Sequence, residues 1–267
     1  MLASETRKLA REALAGKWGK AALVILVYML ITWVISFVLN LIPVVGQIAQ
    51  VVIDVPLAFG LIATLIKLKR GEEVSYVGFL TDGFNNFASS WKVALWTCVK
   101  MLVPIIVFIV AMAILIVGTG VTFAGAATSS SSTTGAGGAV AVIGVLAIIA
   151  SSIWLTIKSY SYQLVNFILF DNLDKEAKAI VEESETLMKG NRWKLFCLQL
   201  SFIGWAILAS LTFGIGMLWL LPYTLVAEVV FYEFLAGKTS KVEAEVVSEE
   251  HVEAEAVKED NGPVSEK

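Results

Sequence analysis

Residues Ala21–Leu41 read AALVILVYMLITWVISFVLNL, an apolar run with no charged side chain. A helix needs about 20 such residues to cross a hydrocarbon core, so this run has the length of a membrane span. It ends in Ile42-Pro43-Val44-Val45-Gly46. A cleaved signal would show a shorter apolar stretch closed by a small-residue cleavage site. The basic residues before the run are therefore read as the flank of a retained first span. Similar runs follow along the chain and predict spans at about 21–41, 44–66, 93–117, 139–157, 195–211 and 213–235.

The composition agrees. The chain of 267 residues is 57% apolar and 16% charged, whereas soluble domains run at about 45–50% apolar and about 25% charged. The expected fold is all-α: a polytopic membrane protein with six transmembrane helices in three hairpins and amphipathic helices along the cytoplasmic interface. Residues 1–237 form the six-span membrane domain, and 238–267 an acidic cytoplasmic tail with nine acids and four lysines, expected to be disordered.

Between the spans the chain changes character. Residues 1–20 read as a basic amphipathic helix with Ser4 as its N-cap. Val74–Ser90 is a second amphipathic stretch. Gly118–Gly138 carries no charge, is rich in Ser, Thr and Gly, and reads as a flexible loop. Asp171 or Asn172 is expected to cap a charged helix that stops near Gly190.

Orientation follows from the bases, since cytoplasmic loops carry an excess of Lys and Arg. With the N-terminus inside, all twenty bases fall on cytoplasmic segments or the inner ends of spans. The outer connections near Pro43, Gly118–Gly138 and Gly214 have no charge of either sign. Both termini are thus predicted in the cytoplasm, in a bacterial cytoplasmic membrane.

A unit of amphipathic helix, Trp-Lys step and two-span hairpin recurs three times. The steps are Trp18-Gly19-Lys20, Trp91-Lys92 and Trp193-Lys194, read as interfacial anchors. The exits also match: Pro56 and Pro222 each stand fifteen residues before a glycine, Gly71 and Gly237.

Few residues point to chemistry. The single histidine, His251, lies in the tail, and Cys98 and Cys197 lie near predicted cytoplasmic ends. No catalytic set, metal site or cofactor site is expected, and the bases track membrane edges rather than a nucleic-acid surface. The candidates are polar residues inside spans. Gln47, Gln50 and Asp54 share one face of span 2; Thr32, Ser36 and Asn40 make a similar stripe on span 1. They read either as a polar path or ion or proton site, or as hydrogen bonds that join the first hairpin. Lys100 and Glu228 fall at similar depth in spans 3 and 6 and are candidates for a pair. The acids Glu182, Glu183 and Glu185 read as a solvated face.

Two stretches carry a family resemblance: IKSYSYQLVNFILFDN at Ile157–Asn172, and LMKGNRWKLFCLQLSFIGWAILASLTFGIGMLWLLPYTLVAEVVFYEFL at Leu187–Leu235. AREALAGKWGKAAL (10–23) and FLTDGFNNF (79–87) fit more loosely. Together they resemble the bacterial integral membrane family catalogued as domain of unknown function 975, over roughly residues 5–237. Members commonly have Pro-Gly where Trp154-Leu155 stand, and many have histidine where Asn191 stands. The resemblance implies a multi-span membrane protein and supplies no reaction. The expected function is non-enzymatic, exerted through the lipid bilayer, a membrane-protein partner or self-association. The alternative is a small transporter or channel-like protein using the polar faces of spans 1 and 2.

Overall fold

A computed structural model describes residues 3–42 and 44–238. Most of the acidic tail, His251 included, lies outside the described residues. Ten helices follow in order: α1 (Ala3–Ala13), α2 (Trp18–Asn40), α3 (Val45–Lys69), α4 (Gly78–Asn85) and α5 (Phe87–Ala127), then α6 (Ser131–Ser161), α7 (Val165–Asp171), α8 (Ala177–Leu187), α9 (Arg192–Leu211) and α10 (Met217–Leu235). Six of them are long and apolar enough to cross a membrane: α2, α3, α5, α6, α9 and α10. They form three hairpins, and a short amphipathic helix (α1, α4 or α8) stands before each. The chain divides into two compact units. One holds α1 to α4, most of α7, α9 and α10; the other holds α5 beyond Trp91, α6 and α8.

In the first unit, α1 buries Glu5, Thr6, Leu9 and Ala10 and packs against α9 and α10. The helix already includes Ser4, so Ser4 stands in its first turn and not at the cap. Helix α4 lies along the middle of α3. Gly60 and Gly83 make that approach possible, because a Cβ on Gly60 would run into the Phe79 carbonyl, and one on Gly83 into the Pro56 carbonyl.

The exits of α3 and α10 close in the same way. Gly71 (φ 85°) and Gly237 (φ 66°) take the left-handed conformation that glycine adopts without cost. Around each, two backbone N–H groups turn back to satisfy the last carbonyls. Glu72 N–H donates to Lys67 O at 3.0 Å and Gly71 N–H to Leu68 O at 3.2 Å. Lys238 N–H donates to Glu233 O at 2.8 Å and Gly237 N–H to Phe234 O at 3.2 Å. This paired arrangement is the Schellman stop.

The second unit corrects the reading of Gly118–Gly138 as a loop. Helix α5 runs on to Ala127, and α6 starts at Ser131. Only a tight turn at Thr128–Ser130 separates them, with Ser129 at φ 55° and Ser130 N–H bonded to Gly125 O at 2.9 Å. The glycines are the reason. Gly118 and Gly125 on α5, and Gly137 and Gly144 on α6, are each seven residues apart and face the other helix. Ala111 and Ser151 continue the two rows, and both are 3% exposed. A seven-residue period keeps a seam facing its partner along a left-handed supercoil. Small residues on that seam let two backbones approach within van der Waals distance. A composition that suggests flexibility is here a packing surface.

The charged segment after α6 also differs from expectation. Asp171 ends α7 rather than capping the next helix, and α8 begins at Ala177. Gly190 does stand past its end, at φ 78°.

Deleting residues 240–267 is expected to leave folding intact. The segment has little apolar surface to bury, and the deletion spares Lys238, which bonds Asp171 at 2.8 Å. Membrane-inserted, monodisperse protein measured by fluorescence-detected size exclusion should stay at the full-length level. A collapse would show that the tail packs on the helices.

Candidate functional site

The polar residues of the first hairpin bond within their own helices. Gln50 Nε2 donates to Asp54 Oδ1 at 2.8 Å, one turn away on α3. Asn40 Nδ2 donates to Ser36 O at 2.7 Å, and Thr32 Oγ1 to Tyr28 O at 2.8 Å. Gln47 is exposed. The expected bonds between spans 1 and 2 are thus replaced by local ones, because the i to i+4 partner is always within reach in a helix.

Glu228, on α10, accepts from Gln199 Nε2 of α9 at 2.8 Å. Gln199 was not marked by the sequence: one glutamine in an apolar run has no period to betray it. In the second unit, Lys100 lies 3.9 Å from Glu182, and Lys158 pairs with Glu185 at 3.0 Å. Ser184, fully buried, donates to Ser161 O at 2.9 Å. One face of α8 therefore meets α5 and α6 and is not purely solvated.

The Trp-Lys steps part company. Trp193 is 71% exposed and stacks on Phe196 with centroids 5.0 Å apart, beside exposed Lys194, which suits an anchor. Trp91 instead donates its Nε1 to Val52 O at 3.1 Å, while Lys92 is exposed. Trp18 turns toward Tyr223 at 5.8 Å, while Lys20 is half-buried.

Two constructions in the first unit went unmarked in the sequence. The first is an ionic knot where α3, α7 and α10 end. Lys69 pairs with Glu233, and both side chains are nearly buried. Arg70 Nε reaches Glu233 Oε1 at 3.1 Å, and its Nη1 reaches Asp171 Oδ1 at 2.9 Å. Asp171 Oδ2 also accepts from Tyr232 Oη and from Lys238 Nζ, both at 2.8 Å. Burial opposes the Arg70 charge, but the hydrogen bonds and charges of Asp171 and Glu233 outweigh it and hold the guanidinium above its ordinary pKa. Phe170 under Arg70 (5.6 Å) and Phe167 stacked on Tyr232 (5.7 Å) floor the cluster. Every charge named here has an opposite partner, so the knot locks the helix ends together.

The second construction is a cleft of about 580 Å³ between α1, α9, α10 and the start of α2. Ser4, Arg7, Lys8 and Arg11 of α1 line one side, with Trp18 beside them. Trp205, Leu208, Ala209 and Thr212 of α9, and Gly216, Trp219, Leu220 and Tyr223 around the start of α10, form the rest. Tyr223 Oη donates to Arg7 O at 3.2 Å and Tyr223 packs edge-on to Phe202 at 5.0 Å, which fixes α1 against the pair. The cleft sets three cations opposite an aromatic and aliphatic wall. Among the described residues no group of three metal-ligating side chains occurs.

Searches of curated proteins and of solved structures return no match. The model of one family, described as Protein of unknown function (DUF975), matches residues 1–239. That span takes in all ten helices, the ionic knot and the cleft. With nearly the whole helical chain matched, this protein belongs to the DUF975 family.

Proposed function

We propose that this protein is a non-enzymatic, multi-pass protein of the bacterial cytoplasmic membrane that acts by holding a lipid. The observation that carries the reading is the cleft, where Arg7, Lys8 and Arg11 face Trp205, Leu208 and Trp219 across a cavity of about 580 Å³. Its apolar wall is made by two helices of spanning length and hydropathy. Transport through spans 1 and 2 has less support, because Gln50 and Asp54 bond each other.

Lipid retained through detergent purification measures the property directly. Organic extraction of the purified protein should recover close to one tightly held lipid per chain. Leu208→Trp, at a position 57% exposed in the cleft wall, should fill the space and lower that yield without loss of folded protein. A yield that is near zero, or unchanged by Leu208→Trp, would remove the reading.

The orientation proposed with it keeps the start of α2 and the end of α10 on the cytoplasmic side, with α1 set against α9 and α10 toward their connecting turn and not along the cytoplasmic interface. A cysteine at Ser131, by the α5–α6 turn, in a chain lacking Cys98 and Cys197, should react with an impermeant thiol reagent applied to intact cells. A cysteine in the tail should react only after lysis. The opposite pattern would reverse the orientation.

A further inference from the structure

We infer that the cleft selects an anionic phospholipid, with its phosphate against Arg7, Lys8 and Arg11 and an acyl chain against Trp205 and Trp219. The inference rests on the lipid reading above and adds the charge class of the ligand. Three observations carry it. First, the cleft is lined by three bases and, among the described residues, by no acid. Second, the buried Nε of Arg7 has no hydrogen-bond partner among the described residues. A buried cationic donor left unmade is costly, and an anionic oxygen of a phosphate or carboxylate is the acceptor that guanidinium geometry matches. Third, Trp205 and Trp219, about half exposed (57% and 49%), stand on helices of spanning length, so the wall opposite the bases is one that an acyl chain can lie against.

Each rival ligand satisfies only part of this. A free phosphate ion meets the bases and makes no use of the aromatic wall. A zwitterionic lipid brings a cation toward three cations. An uncharged amphiphile covers the wall and leaves Arg7 unanswered. A lipid with a net negative headgroup answers both sides at once. The cleft also lies within the range of about 300–1,000 Å³ typical of small-molecule sites, ample for a headgroup and the first part of a chain.

The test uses the purified full-length protein in detergent, with added dioleoyl phosphatidylglycerol or dioleoyl phosphatidylcholine. Native mass spectrometry counts the adducts. The phosphatidylglycerol adduct should persist to a concentration at least about tenfold lower than the phosphatidylcholine adduct, the effect of one charge-assisted contact. The triple variant Arg7→Gln, Lys8→Gln, Arg11→Gln should erase that preference. Arg11→Glu alone, at an exposed position outside the packed face of α1, should weaken phosphatidylglycerol binding while the protein stays monodisperse. Equal retention of the two lipids, both lost in Leu208→Trp, would overturn the charge assignment and leave the lipid reading standing. Displacement of phosphatidylglycerol by an equal concentration of inorganic phosphate would overturn the lipid as the ligand of the bases. Failure of both lipids to bind would remove the inference and the lipid reading together.

Discussion

Gly144→Leu is expected to open the α5–α6 hairpin and to remove most of the folded protein. A Cβ at Gly144 would stand 2.7 Å from the Leu115 Cα and backbone N, with no flexible side-chain end to move aside. The two helices would have to separate at that point. Because the seam recurs every seven residues, parting there also loosens Gly118 against Ala141 and Gly137 against Thr122. Overpacking costs about 1–3 kcal/mol in a core that can adjust, and a backbone contact adjusts less than a side chain. Gly138→Leu is the matched control, since nothing lies within 4 Å of a Cβ there. Both substitutions add the same side chain to the same helix. Fluorescence-detected size exclusion and thermal stability should show a severe loss for Gly144→Leu and little change for Gly138→Leu. Equal effects would argue that the glycine seam does not hold the hairpin.

The second large effect is expected at the ionic knot. Glu233→Gln leaves Lys69, whose side chain is 8% exposed, facing a neutral amide. Removing one partner of a buried ion pair typically costs about 3–5 kcal/mol, mostly because the remaining charge is uncompensated. The double change Lys69→Met with Glu233→Gln removes that charge, and Arg70 keeps Asp171 at 2.9 Å. The double variant should therefore recover much of the lost melting temperature, whereas additive losses would show that the pair is not coupled. Tyr232→Phe removes one hydrogen bond to a carboxylate and should cost less, about 1.5–3 kcal/mol. A Tyr232→Phe loss as large as that of Glu233→Gln would move the weight of the knot from charge pairing to packing against Phe167.

The long helices were legible because a helix in lipid must be apolar throughout its length, so every residue reports the same thing. The stops at Gly71, Gly190 and Gly237, two after long helices and one after α8, were legible for a local reason, since a left-handed residue selects glycine whatever surrounds it. The alternation of a short amphipathic helix with two long apolar ones could be read from hydropathy alone. The close-packed α5–α6 seam was present as a period, Ala111, Gly118 and Gly125 against Gly137, Gly144 and Ser151, but composition masked it. Ser, Thr and Gly without charge describe a loop and a tight helix crossing equally well.

What only the tertiary structure decided concerns partners far apart in the chain. Lys69 and Glu233, Arg70 and Asp171, Gln199 and Glu228, and Arg7 and Tyr223 are joined by the path of the helices and not by any spacing. A charge at the end of an apolar run reads as a membrane flank, whichever neighbour it later meets. In the same way, the bases of α1 read as an interfacial helix until α9 and α10 set aromatic side chains opposite them. Sequence by itself determined that the chain is a set of long apolar helices, because burial in lipid is a property of each segment alone. Tertiary structure decided where the cleft and the knot are, because electrostatic and packing partners are properties of pairs.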